Sequence, residues 1–156
     1  MKAIFVESLN GYLARGANDD MLWTPPLDKK IFKLLSFAFG GVCVCSAHTY
    51  KLLPDAMRGD KNRRFIIADK TGENSLVALN KKYPNGVLIG GPRFLTAAYN
   101  VGVIDTFIIT TVNKVIAGAP EYKNPFAESL VKQGADCEIA FPDMIVRVYK
   151  NNSRIR

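Results

Sequence analysis

Histidine is almost missing from this chain and cysteine is sparse, with one His and three Cys in 156 residues. His48 has no Asp or Ser pattern beside it, which makes a poor catalytic triad. Cys43 and Cys45 lie one residue apart and Cys137 far off, a spacing that matches no structural zinc site. An odd cysteine count fits free thiols in a reducing compartment better than a disulfide framework. Buried thiols and no metal are the expectation. Long apolar runs are missing too. No stretch approaches the ~20 residues that span a bilayer, and the start MKAIFVESLNG meets Glu7 where a signal peptide would stay apolar. A cytoplasmic protein with no membrane segment is expected, and there is no repeat or low-complexity tract.

Acidic residues are the scarcer sign of charge: 14 Asp and Glu against 21 Lys and Arg give a net charge of +7. Such a balance suits nucleic acid, a membrane surface, or a small substrate and cofactor carrying phosphates and carboxylates. The basic residues are scattered, at Lys29, Lys30, Lys33, Arg58, Lys61, Arg63, Arg64, Lys81, Lys82 and the tail from Lys150 to Arg156, without a dense block or interleaved aromatics. A solvated basic surface is favoured over dedicated nucleic-acid binding.

With 48% hydrophobic residues, the chain is long enough for one full core, so residues 1–156 are read as a single domain and a monomer. Its organising stretch runs from Trp23 to Leu35. Thr24 suits an N-cap and Pro25 the first helical position. Counting from Asp28, the residues three, four and seven on are Ile31, Phe32 and Leu35, whereas Lys29, Lys30 and Lys33 fall on the opposite side. Asp28 therefore points inward. A carboxylate on an apolar face is either a working group or a first-turn acid held by free backbone N–H groups and the helix dipole.

Strands are expected at residues 2–8, 42–45, 64–68, 87–89 and 105–111, with two more, CEIAF and MIVRVYK, between 137 and 152. Helical patterns cover about 74–82, a stretch through Phe94, Leu95, Ala98 and Tyr99, and a short one at 126–132. Leu9–Leu22 reads as a loop without structure of its own, long enough for a lid. The alternation argues for an α/β fold: a single mainly parallel twisted sheet with an antiparallel C-terminal strand and helices on both faces. In such sheets ligands bind outside the carboxyl ends of the strands. Val87-Leu88-Ile89-Gly90-Gly91-Pro92-Arg93 is a strand, a glycine pair and a helix start, which suits a phosphate or an ordinary tight turn.

Five features in register resemble dihydrofolate reductase over nearly the whole chain: the acidic helix, Ser46-Ala47-His48-Thr49-Tyr50, Arg63 before a strand, Ile89-Gly90-Gly91-Pro92-Arg93, and the strand through Thr110. Trp23, Asp28 and Phe32 reproduce the family's spacing of tryptophan, acid and phenylalanine. The resemblance implies hydride transfer from NADPH to dihydrofolate. Asp28 would hold the pterin and favour its protonation at N5, supported by Thr110, with Met21 and Trp23 beside it. Ile4, Phe5, Val6, Phe32, Leu53 and Ile89 would line the substrate, and Arg63 would pair with the folate α-carboxylate. Leu13, Ala14, Ala47, His48, Thr49, Asp69, Lys70, Gly90, Gly91, Pro92, Arg93 and Phe94 would face the cofactor. The resemblance also implies a cis peptide in the glycine pair and a mobile loop closing over the nicotinamide.

The chain departs from the family at Ala47, where a basic residue usually meets the 2′-phosphate, leaving Lys70 and Arg93 for that task. It departs again at Lys29, Asp60 and Pro92. Ser8-Leu9-Asn10-Gly11-Tyr12 reads like the start of the riboflavin-pathway pyrimidine reductases, which share the fold and are the alternative enzyme. A non-catalytic nucleotide- or RNA-binding module on the same fold is the alternative outside enzymes.

Overall fold

The computed structural model describes residues 1–152. Seven strands form one sheet in the order β3-β2-β4-β1-β5-β7-β6. They are β1 (Lys2–Ser8), β2 (Val42–Cys45), β3 (Arg64–Ile67), β4 (Val87–Leu88), β5 (Thr106–Val112), β6 (Cys137–Ala140) and β7 (Met144–Lys150). The ladders joining β1 to β4 and β5, and β2 to β3 and β4, are parallel. Those joining β5 to β7 and β7 to β6 are antiparallel, so the C-terminal hairpin ends the sheet.

The period of two along each strand sorts side chains between two layers. Ile4, Cys43, Cys45, Val87, Ile89, Ile108 and Val146 face one side, where Ile31, Phe32 and Leu35 of α1 (Pro26–Ala38) and Tyr50 of α2 (Ala47–Leu52) cover them. Ala3, Phe5, Val44, Leu88, Phe107 and Ile109 face the other. There they meet Leu79 of α4 (Leu76–Lys82), Leu95 and Ala98 of α5 (Pro92–Asn100) and Leu130 of α6 (Ala127–Gln133). Both thiols of β2 are wholly buried, and burial pushes Cys43 up to about 12 and Cys45 up to about 11. They are inert core groups.

Three local readings change. The N-cap of α1 is Pro25, extended at φ −62° and ψ 149°, and the helix starts at Pro26. A residue before proline is pushed out of the helical region, so the second proline moves the start by one position. Thr24 does not cap; its hydroxyl donates to the Met21 carbonyl at 2.8 Å. The polar stretch after Leu53 contains a one-turn helix, α3 (Asp55–Arg58), and Pro120–Tyr122 forms a 3₁₀ turn. The loop from Leu9 to Leu22 is not structureless. Its first half is tied down by Asn10, whose amide donates to the Ile116 carbonyl at 2.8 Å, and by the backbone bonds of Leu13 to Tyr122 and Asn124 to Gly11.

Candidate active site

Asp28 is the third residue of α1, half-buried on the helix face toward the sheet. The Thr110 hydroxyl of β5 is close enough to its carboxylate to act on its ionisation, so its polar neighbour comes from the sheet. Burial pushes the Asp28 carboxyl above its ordinary range; the Thr110 hydroxyl and the charge of Lys29 pull it down without cancelling that rise. The result is a half-buried acid with a raised pKa on the face of α1 toward the sheet.

Around this pair the sheet supplies Ile4, Ile89 and Ile108, α1 supplies Phe32, and Leu53 closes the end of α2. Val6 stands opposite Thr110 in the ladder and packs with Trp23, Met21, Tyr12, Val112 and Ile116. Two residues expected at the site lie elsewhere. Phe5 points to the opposite layer, 6.4 Å ring to ring from Phe126, because strand parity gives its face to the α5–α6 side. Leu13 is 5% exposed, and its side chain packs in that same core.

Arg63 precedes β3 and its side chain is only 5% exposed. Nε donates to Asp60 at 2.8 Å, and the guanidinium lies 5.5 Å from the ring centres of both Phe37 and Phe65. Nη1 is buried without a hydrogen-bond partner. An unpaired buried N–H of a cation costs about 1–3 kcal/mol or more, so this atom is a strong candidate to meet an anionic oxygen. Its pairing with Asp60 was not foreseen from the sequence, where an Asp-Lys-Asn-Arg run reads only as a polar turn.

The other half of the cleft lies at the carboxyl ends of β2 and β4, neighbours in the sheet. Ser46 caps α2 by accepting from the Thr49 N–H at 3.2 Å. α5 has no side-chain cap: Gly91 is its N-cap and Pro92, buried, its first residue. The free N–H groups of that first turn and the helix dipole favour an anion. At Gly90 (φ +149°) an added Cβ would lie 3.1 Å from Phe94 Cδ1 and 3.3 Å from Thr49 Oγ1, whereas one at Gly91 would meet nothing within 4 Å. The described residues contain no cis peptide, so the glycine pair turns in trans through the positive φ of Gly90, which no other residue type adopts easily. Ala47, His48 and Arg93 are exposed around this turn, and Asp69 and Lys70 are exposed just past the end of β3, the outer strand beside β2. Free amides, a hydroxyl and two cations suit the phosphates of a dinucleotide; Asp69 is the one acid of the set.

The loop between the halves holds a group that the sequence reading passed over. Asp19 has a side chain 2% exposed and accepts five hydrogen bonds. They come from Arg15 N, Nε and Nη2, Met21 N and Trp23 Nε1. Burial alone would raise this carboxyl, but the Arg15 side chain, the two backbone N–H groups and the indole hold it down at about 2. Asn18-Asp19-Asp20 read as loop punctuation, and nothing in one dimension singles out its middle residue. Ala14 is half-buried in the same segment, and His48 Nε2 bonds the Ala17 carbonyl at 2.7 Å, carrying the loop across to α2.

No family model matches this chain, and no curated protein matches it. Among solved structures it is similar to a Shewanella sp. PV-4 protein named for riboflavin biosynthesis, with a TM-score of 0.62 and 16% identity over 96% of this chain and 97% of that one. That likeness covers nearly the whole length of both chains and shows the fold.

Proposed function

We propose that this protein is a nicotinamide-dependent reductase acting on a nitrogen heterocycle that carries an amino-substituted pyrimidine ring, with dihydrofolate as its substrate. The observation that carries the proposal is Asp28, half-buried on the sheet-facing side of α1 beside Thr110, with its pKa raised by burial. A carboxylate there can accept from an amino group and an adjacent ring N–H at once. Its charge stabilises a protonated ring. Phe32, Ile4 and Ile89 supply apolar contact on either side of that ring, and Nη1 of Arg63, buried and unpaired, is the donor offered to the carboxylate at the far end of the substrate.

The cofactor would be held by the first turn of α5 with Gly90 and Gly91, by Thr49, and by the cations Arg93 and Lys70, which favour NADPH over NADH in the absence of a basic residue at Ala47. When bound there, it supplies a hydride. This chain's own residues then orient the ring, keep water out and favour its protonated form.

The likeness to the Shewanella protein favours a second reading, reduction of a phosphorylated ribosylaminopyrimidine in riboflavin synthesis. That substrate also carries an aminopyrimidine ring for Asp28, but its anionic end is a phosphate. One experiment separates the two: NADPH oxidation followed by absorbance with each substrate, with Asp28→Asn in parallel. Turnover of dihydrofolate that disappears in the variant supports the first reading, and turnover of the ribosylaminopyrimidine alone replaces it with the second. NADPH oxidation with neither substrate overturns both.

A further inference from the structure

The five bonds to Asp19 all come from donors, and they gather a stretch that is otherwise costly to hold together. Met21 lies in the left-handed region at φ +59°, a conformation costing a non-glycine residue about 1–2 kcal/mol. Its N–H donates to Asp19 Oδ1 at 2.9 Å, and its carbonyl accepts from Thr24 N and Thr24 Oγ1. Trp23 is the single tryptophan of the chain; its Nε1 donates to Asp19 Oδ2 at 3.0 Å, and the residue, 7% exposed, packs with Val6, Val112 and Ile116. Val6 pairs with Thr110. The carboxylate of Asp19 is thus one indole away from the strand that carries the partner of Asp28.

We propose that Asp19 is a positioning residue, whose carboxylate sets Met21 and Trp23 against Val6 and so gives the loop its own internal order as a lid. Preorganisation of this kind lowers the ordering cost of binding. The role assigned to the lid rests on the reductase reading of the cleft, whereas the placement of Trp23 by Asp19 does not.

The test uses the emission of Trp23 in the full chain. Asp19→Ala, and Asp19→Asn, which turns an amide donor toward the indole or the Arg15 N–H, are expected to shift the emission to the red and steepen acrylamide quenching several-fold while far-UV circular dichroism is unchanged. The KM for NADPH is expected to rise by about tenfold with a much smaller change in kcat, because the variants lose order and not chemistry. Arg15, with a side chain 48% exposed, provides a variant that spares the core: Arg15→Gln is expected to loosen Trp23 part-way. Unchanged quenching in a folded Asp19 variant overturns the proposal, as does unchanged quenching in Arg15→Gln if neither Asp19 variant folds. Equal losses of kcat and kcat/KM that merely follow the fall in thermal midpoint also overturn it. If the wild type binds no NADPH, the reductase reading fails, and the quenching alone decides whether Asp19 positions Trp23.

Discussion

Thr110 in β5 lies beside Asp28 in the first turn of α1, and its hydroxyl lowers the pKa of a carboxyl that burial raises. Because burial outweighs the hydroxyl and the charge of Lys29, the folded protein holds a proton on Asp28 at a pH where the unfolded chain has released it. Stability then falls as pH rises from about 4.

Asp28→Asn is therefore expected to act in opposite directions on activity and stability. Dihydrofolate reduction should drop by orders of magnitude with NADPH binding retained. The thermal midpoint at pH 7 should rise, since the cost of a buried charge is removed while an acceptor for Thr110 remains. That gain should shrink as pH is lowered through about 4, where the wild-type carboxyl is protonated too. Melting curves at pH 7 and pH 3.5 check the sign.

Thr110→Val keeps the shape of the strand residue and removes its donor. Asp28 should titrate still higher, and the pH–rate profile should move upward with it. A decrease of about tenfold in kcat is expected at neutral pH. A profile unchanged in both position and height would dissociate Thr110 from the working carboxylate.

The glycine pair offers a contrast within two residues. Gly90→Ala places a Cβ against Phe94 and Thr49 at a φ of +149° and should destabilise by about 1–3 kcal/mol while weakening NADPH binding. Gly91→Ala meets nothing within 4 Å at φ −82° and should leave stability nearly unchanged. Denaturant midpoints and NADPH titration of the two variants test the assignment of the turn.

Arg63→Leu should raise the KM for dihydrofolate by about ten- to a hundredfold, while leaving that for a dihydropterin without the glutamate tail almost unchanged. The variant also strands Asp60, 14% exposed, so a folding control is paired with it by Arg63→Leu/Asp60→Asn. Equal effects on both substrates would remove Arg63 from the anion end.

Asp19 should govern the acid limb of the loop. Its folded value of about 2 lies below the ordinary range near 4, so the stability it contributes is complete above about pH 4 and is lost as pH falls through about 2. Trp23 emission should hold steady from pH 7 to pH 4 and shift below pH 3 in the wild type, whereas Asp19→Asn should show no step in that window.

Much of this site was legible because chemistry and spacing lie along the chain itself. The inward Asp28 followed from the three- and four-residue spacing of Ile31, Phe32 and Leu35, and the turn at Gly90-Gly91 from a strand running into two glycines. Boundaries were less so: in a double proline, Pro25 must be extended because Pro26 follows it, which displaced the expected cap at Thr24. Phe5 was placed with the substrate by analogy of position, although the alternation of β1 assigns its side chain to the opposite layer from Ile4 and Val6.

The period of two, the period of 3.6 and the punctuation by Gly and Pro belong to local sterics, and the order of residues alone determined the alternating strands and helices and the inward carboxylate. Partners separated by tens of residues were decided only in three dimensions. Thr110 reaches Asp28 because β5 lies beside β1 under α1, and Phe37 and Phe65 enclose Arg63 because α1 packs over β2 and β3. Asp19 collects Arg15, Met21 and Trp23 because the loop folds back on a buried anion. Hydrogen bonds and burial depend on distance through space, and only the packed sheet converts the spacing of residues along the chain into that distance.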